Sequence, residues 1–130
     1  MKVLGNGIDI VSNLRIKKSI KNKIFLQRIY TYKEIKSSHN KKKNIVGYFA
    51  KRFAAKEAFV KALGEGFRNN VNFNDIEILN DKKGRPLINI SKNIKKLLKK
   101  KFKLNKYKIF LSLSDERKYS IAYVIINKQK

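Results

Sequence analysis

The stretch RFAAKEAFVKALGEG, residues 52–66, decides how the rest of the chain is read. Extended back to about residue 44, it has the period of a long α-helix that stops at Gly64. At about 100° per residue, Val46, Phe49, Phe53, Phe59, Val60 and Leu63 gather on one side. An ordinary surface helix is polar on the opposite side. Here that side is mostly Ala50, Ala54, Ala55, Ala58 and Ala62, residues small enough for another surface to pack closely. Arg52, Lys56, Glu57 and Lys61 are scattered round the helix, with Arg52 and Lys56 inside the apolar arc. A lone acid among these bases, on a helix with two packing faces, needs a partner.

Outward from this helix, the patterning predicts an α+β fold with a small antiparallel sheet packed on helices. Residues 2–11 alternate as a strand, with Ile8 and Ile10 on one face and Asp9 and Val11 on the other. Gly5 and Gly7 within it point to a bulge or a close backbone approach. Asn13 is the expected N-cap of a short helix, and KIFLQRIY makes a second. Thr31 and Glu34 have capping-box spacing for the next turn, and HNKKKN reads as a solvated loop. After the long helix, FNDIEILNDKKGRPLINIS reads as a hairpin, and Ser91 caps a helix over KNIKKLLKKKF. YKIFLSLS and YSIAYVII close the chain as two strands joined by DERK.

The 130 residues make one domain, 1–130, with neither linker nor repeat. There is no cysteine, which removes disulfides and thiolate metal sites. No apolar run reaches the length of a membrane span, and the N-terminus lacks the order of a signal peptide, so a cytoplasmic location is expected. The net charge of +24 suggests an acidic or phosphorylated partner. Part of it has a duller origin. Lysine, asparagine and isoleucine together supply nearly half the chain, as an A/T-rich genome would dictate, and lysines such as Lys99 to Lys101 are expected to be solvated and of little consequence.

Asp9 interrupts an apolar strand, where aspartate is disfavoured. Glu57 reads either as a surface pair with Lys61 or, given the alanines beside it, as part of a site. Two carboxylates, one on a strand and one on the helix against it, suit a hard cation such as magnesium, which takes one or two protein carboxylates and fills its shell with water and phosphates. Gly64 and Gly66 let backbone approach a ligand near Lys61, and Arg85–Pro86 forms a hairpin tip. His39, the only histidine, sits among lysines and reads as solvated.

GIDIV near the N-terminus, RFAAKEAFVKALGEG in the middle and FNDIEILND with GRP after it resemble the holo-[acyl-carrier-protein] synthase family, the small bacterial 4′-phosphopantetheinyl transferases. The resemblance covers essentially the whole chain in order. It implies a magnesium-dependent enzyme of fatty acid biosynthesis that moves 4′-phosphopantetheine from coenzyme A to a serine of apo acyl carrier protein. It also implies a homotrimer with sites at the subunit interfaces, whose second chain would cover the alanine face. By motif, Asp9 and Glu57 correspond to the metal ligands and Lys61 to the base on the coenzyme A phosphates. Arg52, Gly64, Gly66, Arg85 and Pro86 correspond to coenzyme A contacts. Arg15 and Arg28 fall where the family presents arginines to the carrier protein. The acceptor of the serine proton is left open between Glu57 and water.

Two departures stand out. The family's usual Gly-Thr-Gly is Gly64–Glu65–Gly66 here, with Glu65 expected to point outward. The histidine that many members carry near the C-terminal hairpin is replaced in Ser114–Asp115–Glu116–Arg117. A basic nucleic-acid-binding protein is the alternative that charge alone would support, but it leaves Asp9 and Glu57 without a purpose.

Overall fold

Strand β1 (Lys2–Ser12) leads into three short helices, α1 (Asn13–Ser19), α2 (Lys23–Ile29) and α3 (Tyr32–Ser38), and then into the long helix α4 (Ile45–Leu63). A hairpin of β2 (Ile76–Asn80) and β3 (Pro86–Ile90), helix α5 (Lys92–Phe102) and a hairpin of β4 (Tyr107–Asp115) and β5 (Tyr119–Lys128) follow. This computed structural model describes residues 2–67, 70–103 and 106–129. The strands form two antiparallel sheets rather than one. Three strands run in the order β1-β5-β4, and β2 pairs with β3 alone.

The alanine side of α4 is covered by β1 and β5 of the same chain. Gly5 and Gly7 permit this contact. A β-carbon on Gly7 would overlap the Ala58 carbonyl oxygen, and one on Gly5 the Ala62 carbonyl oxygen, both fixed backbone atoms. The strand register also shifts between Val3 and Gly5, so the bulge and the close approach both occur. Ala50, Ala54, Ala55, Ala58 and Ala62 are all buried in the single chain. The expectation that a neighbouring subunit packs them is therefore corrected: a β-strand stripped of two side chains does it instead.

The local signals explain most boundaries. Thr31 and Glu34 form the capping box reciprocally, Ser91 caps α5, and α4 stops at Gly64 with φ 73°. At α1 the cap is Ser12, whose side chain accepts from the Arg15 amide. Asn13, expected in that role, is buried. It donates to the Glu116 carbonyl at 2.7 Å and accepts from Ser120 Oγ at 2.7 Å, which fastens the β4–β5 turn to the start of α1.

Lys56 explains its place in the apolar arc. Its ammonium is fully buried and donates to Glu34 Oε1 and the Ile29 carbonyl, each at 2.6 Å, and to the Phe73 carbonyl at 3.3 Å. Glu34 Oε2 accepts from the Ile78 amide at 2.9 Å. Burial chiefly pulls the Lys56 ammonium below the usual lysine range, with the Arg52 charge adding to it, and Glu34 opposes that shift. The pair ties α4, α3 and β2 together. Among the described residues no helix is long and apolar enough to cross a membrane.

Candidate active site

Alternation along β1 aims Asp9 toward α4 and leaves Ile8 and Ile10 on the outer face. On α4, Glu57 and Lys61 are four residues apart and so share the flank next to Asp9. Lys61 Nζ donates to Asp9 Oδ1 at 3.1 Å and to the Ile8 carbonyl at 2.9 Å. The Glu57 carboxyl is half-buried, and its pKa is raised first by that burial and then by the charge on Asp9. Lys61 and Arg15 oppose the rise. The structure thus brings Asp9, Glu57, Lys61 and Arg15 into one electrostatic group within a single chain. The Arg15 guanidinium stands 5.7 Å above the Phe53 ring.

A second feature lies on the other flank of α4. Arg52 and Asn80, with Tyr48, Gly84, Pro86 and Leu113, line part of a cleft of about 890 Å³. The Arg52 guanidinium stacks 3.6 Å from the Tyr48 ring centre and donates to Asn80 Oδ1 at 2.5 Å. Asn80 Nδ2 in turn donates to the Gly84 carbonyl at 2.8 Å, which fixes the hairpin tip against the cleft. Arg85 is exposed beside it. His39 and Lys41 to Lys43 form the rim, so the loop read as merely solvated borders the cleft.

Asp9 stands on β1, and the cleft is walled by β4, the two edge strands of the three-stranded sheet. About 10 Å of sheet separates them, with α4 lying between. The residues expected to share one ligand are thus divided: Asp9, Glu57 and Lys61 on one flank, Arg52 and Pro86 on the other. Gly64 caps the C-terminus of α4, its amide donating to the Lys61 carbonyl, and Gly66 follows two residues on. Arg28 is exposed in the last turn of α2, apart from both groups.

Comparison with known proteins supplies the family. Residues 5–124 match the model of the 4′-phosphopantetheinyl transferase superfamily. The holo-[acyl-carrier-protein] synthase of Pelagibacter ubique is 52% identical over 132 residues, covering 99% of this chain and all of that protein. That of Buchnera aphidicola is 44% identical over 128 residues, covering 96% and 98%. Among solved structures, the Neisseria meningitidis synthase superposes with a TM-score of 0.85 at 37% identity, covering 98% of this chain and 100% of that one. The Helicobacter pylori synthase, solved in complex with coenzyme A, gives 0.78 at 34% identity, covering 94% and 99%.

The chain belongs to the holo-[acyl-carrier-protein] synthase family. It is a 4′-phosphopantetheinyl transferase, and the group around Asp9 has a donor set that suits such chemistry. The Glu57 carboxyl, whose proton affinity burial and Asp9 raise, is relieved by a cation held between the two carboxylates, and both offer only oxygen. Among the described residues no cluster of three or more carboxylate, histidine or cysteine side chains exists, so a metal in this transferase would draw its other ligands from water and substrate. Sequence reasoning missed Tyr48 and Asn80, which carry no motif of their own and acquire meaning only by touching Arg52. It also misjudged Glu65. Glu65 is partly buried rather than outward and pairs at 3.3 Å with Lys101, which is exposed as expected.

Proposed function

We propose that this transferase moves the 4′-phosphopantetheine group of coenzyme A onto a serine of apo acyl carrier protein, as a cytoplasmic step of fatty acid biosynthesis. The observation that carries this reading is the convergence of Asp9, Glu57 and Lys61 at the contact of β1 with α4. The serine hydroxyl gives its proton to Glu57 or to water as its oxygen bonds to the β-phosphorus, and the bond from that phosphorus to the nucleotide's phosphate oxygen breaks. Adenosine 3′,5′-bisphosphate leaves with the electron pair. Such transfers depend on positioning and charge neutralisation. Asp9 and Glu57 would hold a magnesium ion, which when bound neutralises pyrophosphate charge. Lys61 contributes a fixed cation on the same flank and keeps the Asp9 carboxylate oriented.

Arg52, Gly64, Gly66, Arg85 and Pro86 are assigned to coenzyme A. Their division between two flanks of α4 supports a site completed by a second copy of the chain, and hence a homotrimer. The outer face of the three-stranded sheet supports the same reading. Ile8 pairs with Tyr123 and Ile10 with Ile121 across β1 and β5, and all four are exposed, Ile8 and Ile10 by 58% and 59%. Carrier-protein docking is assigned to Arg15 and Arg28, which are exposed and suited to steer an acidic partner.

The test is a mass spectrum of apo acyl carrier protein after incubation with the chain, coenzyme A and magnesium. The carrier should gain one phosphopantetheine, and EDTA should suppress the gain. An unmodified carrier with all components present would refute the activity, and full transfer in EDTA would refute the metal.

A further inference from the structure

Glu65 follows directly on the C-terminal residue Gly64 that caps α4. Two features there repel an anion: the carboxylate, and the partial negative charge at a helix C-terminus. Lys61, one turn back, is already engaged with Asp9. A phosphate-binding turn made of these parts alone would oppose its own ligand.

The missing charge comes from another element. Lys101, in the last turn of α5, brings Nζ to 3.3 Å from Glu65 Oε1. The same ammonium lies over Gly64, where a β-carbon would stand 2.8 Å from it. The Glu65 side chain is partly buried, at 23% exposed, whereas Lys101 lies on the surface and is held there by the pair. Lys99 and Lys100 in the same turn are exposed, and neither forms an ion pair among the described residues.

We propose that Lys101 is an affinity-determining residue for the phosphates of coenzyme A, neutralising Glu65 and presenting a cation over the Gly64–Gly66 turn. The inference rests on the proposed coenzyme A site. Glu65 anchors the lysine, and Gly64, lacking a side chain, leaves its ammonium open toward a phosphate. The acid that departs from the family's usual turn is thereby converted into a tether for a base.

The experiment measures KM for coenzyme A at saturating carrier protein for the wild type, Lys101→Gln, Lys101→Arg, Glu65→Gln and Lys99→Gln. Lys101→Gln should raise KM about tenfold, the effect of losing one charge-assisted contact. Its kcat should stay within about twofold and its urea midpoint should not move, because the contact is one of binding. Lys101→Arg should restore affinity, Glu65→Gln should shift it far less than Lys101→Gln does, because it removes the tether and the repelling charge together, and Lys99→Gln should change nothing. The proposal is overturned if Lys101→Gln leaves KM unchanged, or lowers stability and kcat without moving KM, while the wild type transfers normally. Absence of transfer by the wild type would instead remove the coenzyme A reading, so the two failures are distinguishable.

Discussion

Glu57 and Lys56 are neighbours in the chain and opposites in energy. Lys56 is enclosed with its charge matched by Glu34, so removing either partner would strand a buried ion. Glu57 is half-buried beside a like charge, and both raise its pKa above the ordinary carboxylate value in the folded state. Because its folded pKa lies above the unfolded value, its contribution to stability is complete at pH below the unfolded pKa. That contribution is lost as pH rises through the folded pKa. Glu57→Gln should therefore leave the metal-free protein at least as stable as the wild type at neutral pH. The two melting temperatures should converge as the pH is lowered through the carboxylate range. Transfer activity should nonetheless fall by about 10²–10³-fold, the size expected when an electrostatic partner of the transition state is lost. Thermal melts in EDTA across pH, beside a transfer assay in magnesium, check both halves. A variant that melts lower at neutral pH would mean that Glu57 is a structural residue.

The contact of β1 with α4 is the element on which the site depends. The strand approaches the helix backbone-to-backbone at Gly5 and Gly7, and the two-residue period of the strand then places Asp9 over the same helix. A methyl group at residue 7 meets the Ala58 carbonyl oxygen, which cannot turn aside as a flexible side chain would. Gly7→Ala should accordingly destabilise the fold by about 3 kcal/mol or more, at the upper end of overpacking effects. It should also lift Asp9 from Glu57, so that activity falls even where the variant is fully folded. Urea denaturation followed by a transfer assay well below the transition tests this, and a variant of unchanged midpoint would refute the tight contact. Substituting Gly84 provides a contrast, since a β-carbon there has open space and only its φ of 83° stands against it.

At the scale of the whole molecule, the proposed homotrimer would account together for the division of the assigned site between two flanks of α4 and for the uncovered apolar sheet face. Ile121→Lys with Tyr123→Lys should yield a monomer in sedimentation velocity at micromolar concentration. It should also be inactive, because Asp9 would no longer meet the Arg52 cleft of a second copy. A second measurement separates assembly from mere solubility. Co-expressed Asp9→Asn and Arg52→Gln chains should regain activity, since a mixed trimer holds one site with both halves intact. Co-expressed Asp9→Asn and Glu57→Gln chains should stay inactive, since those residues serve the same half. Full activity of the sheet-face variant as a monomer would refute the shared site. The charge of +24 is a property of this scale as well, and Lys56, Lys61 and Lys101 show that part of it is committed to fixed acidic partners.

The sequence by itself determined the elements and the family. Helix stops, the Thr31–Glu34 box, the strand alternation and the proximity of Asp9, Glu57 and Lys61 were all legible, because capping and periodicity are local and a motif is read in order. Only the tertiary structure decided what packs on the alanines, because a glycine pair in a strand carries no address for the helix it will meet. The same holds for Lys56 and Glu34, for Arg52, Tyr48 and Asn80, and for Glu65 with Lys101, thirty-six positions away. A buried charge is tolerated only beside its counterion, and which acid meets which base is fixed by the packing of elements, a long-range property that no stretch of this chain encodes alone.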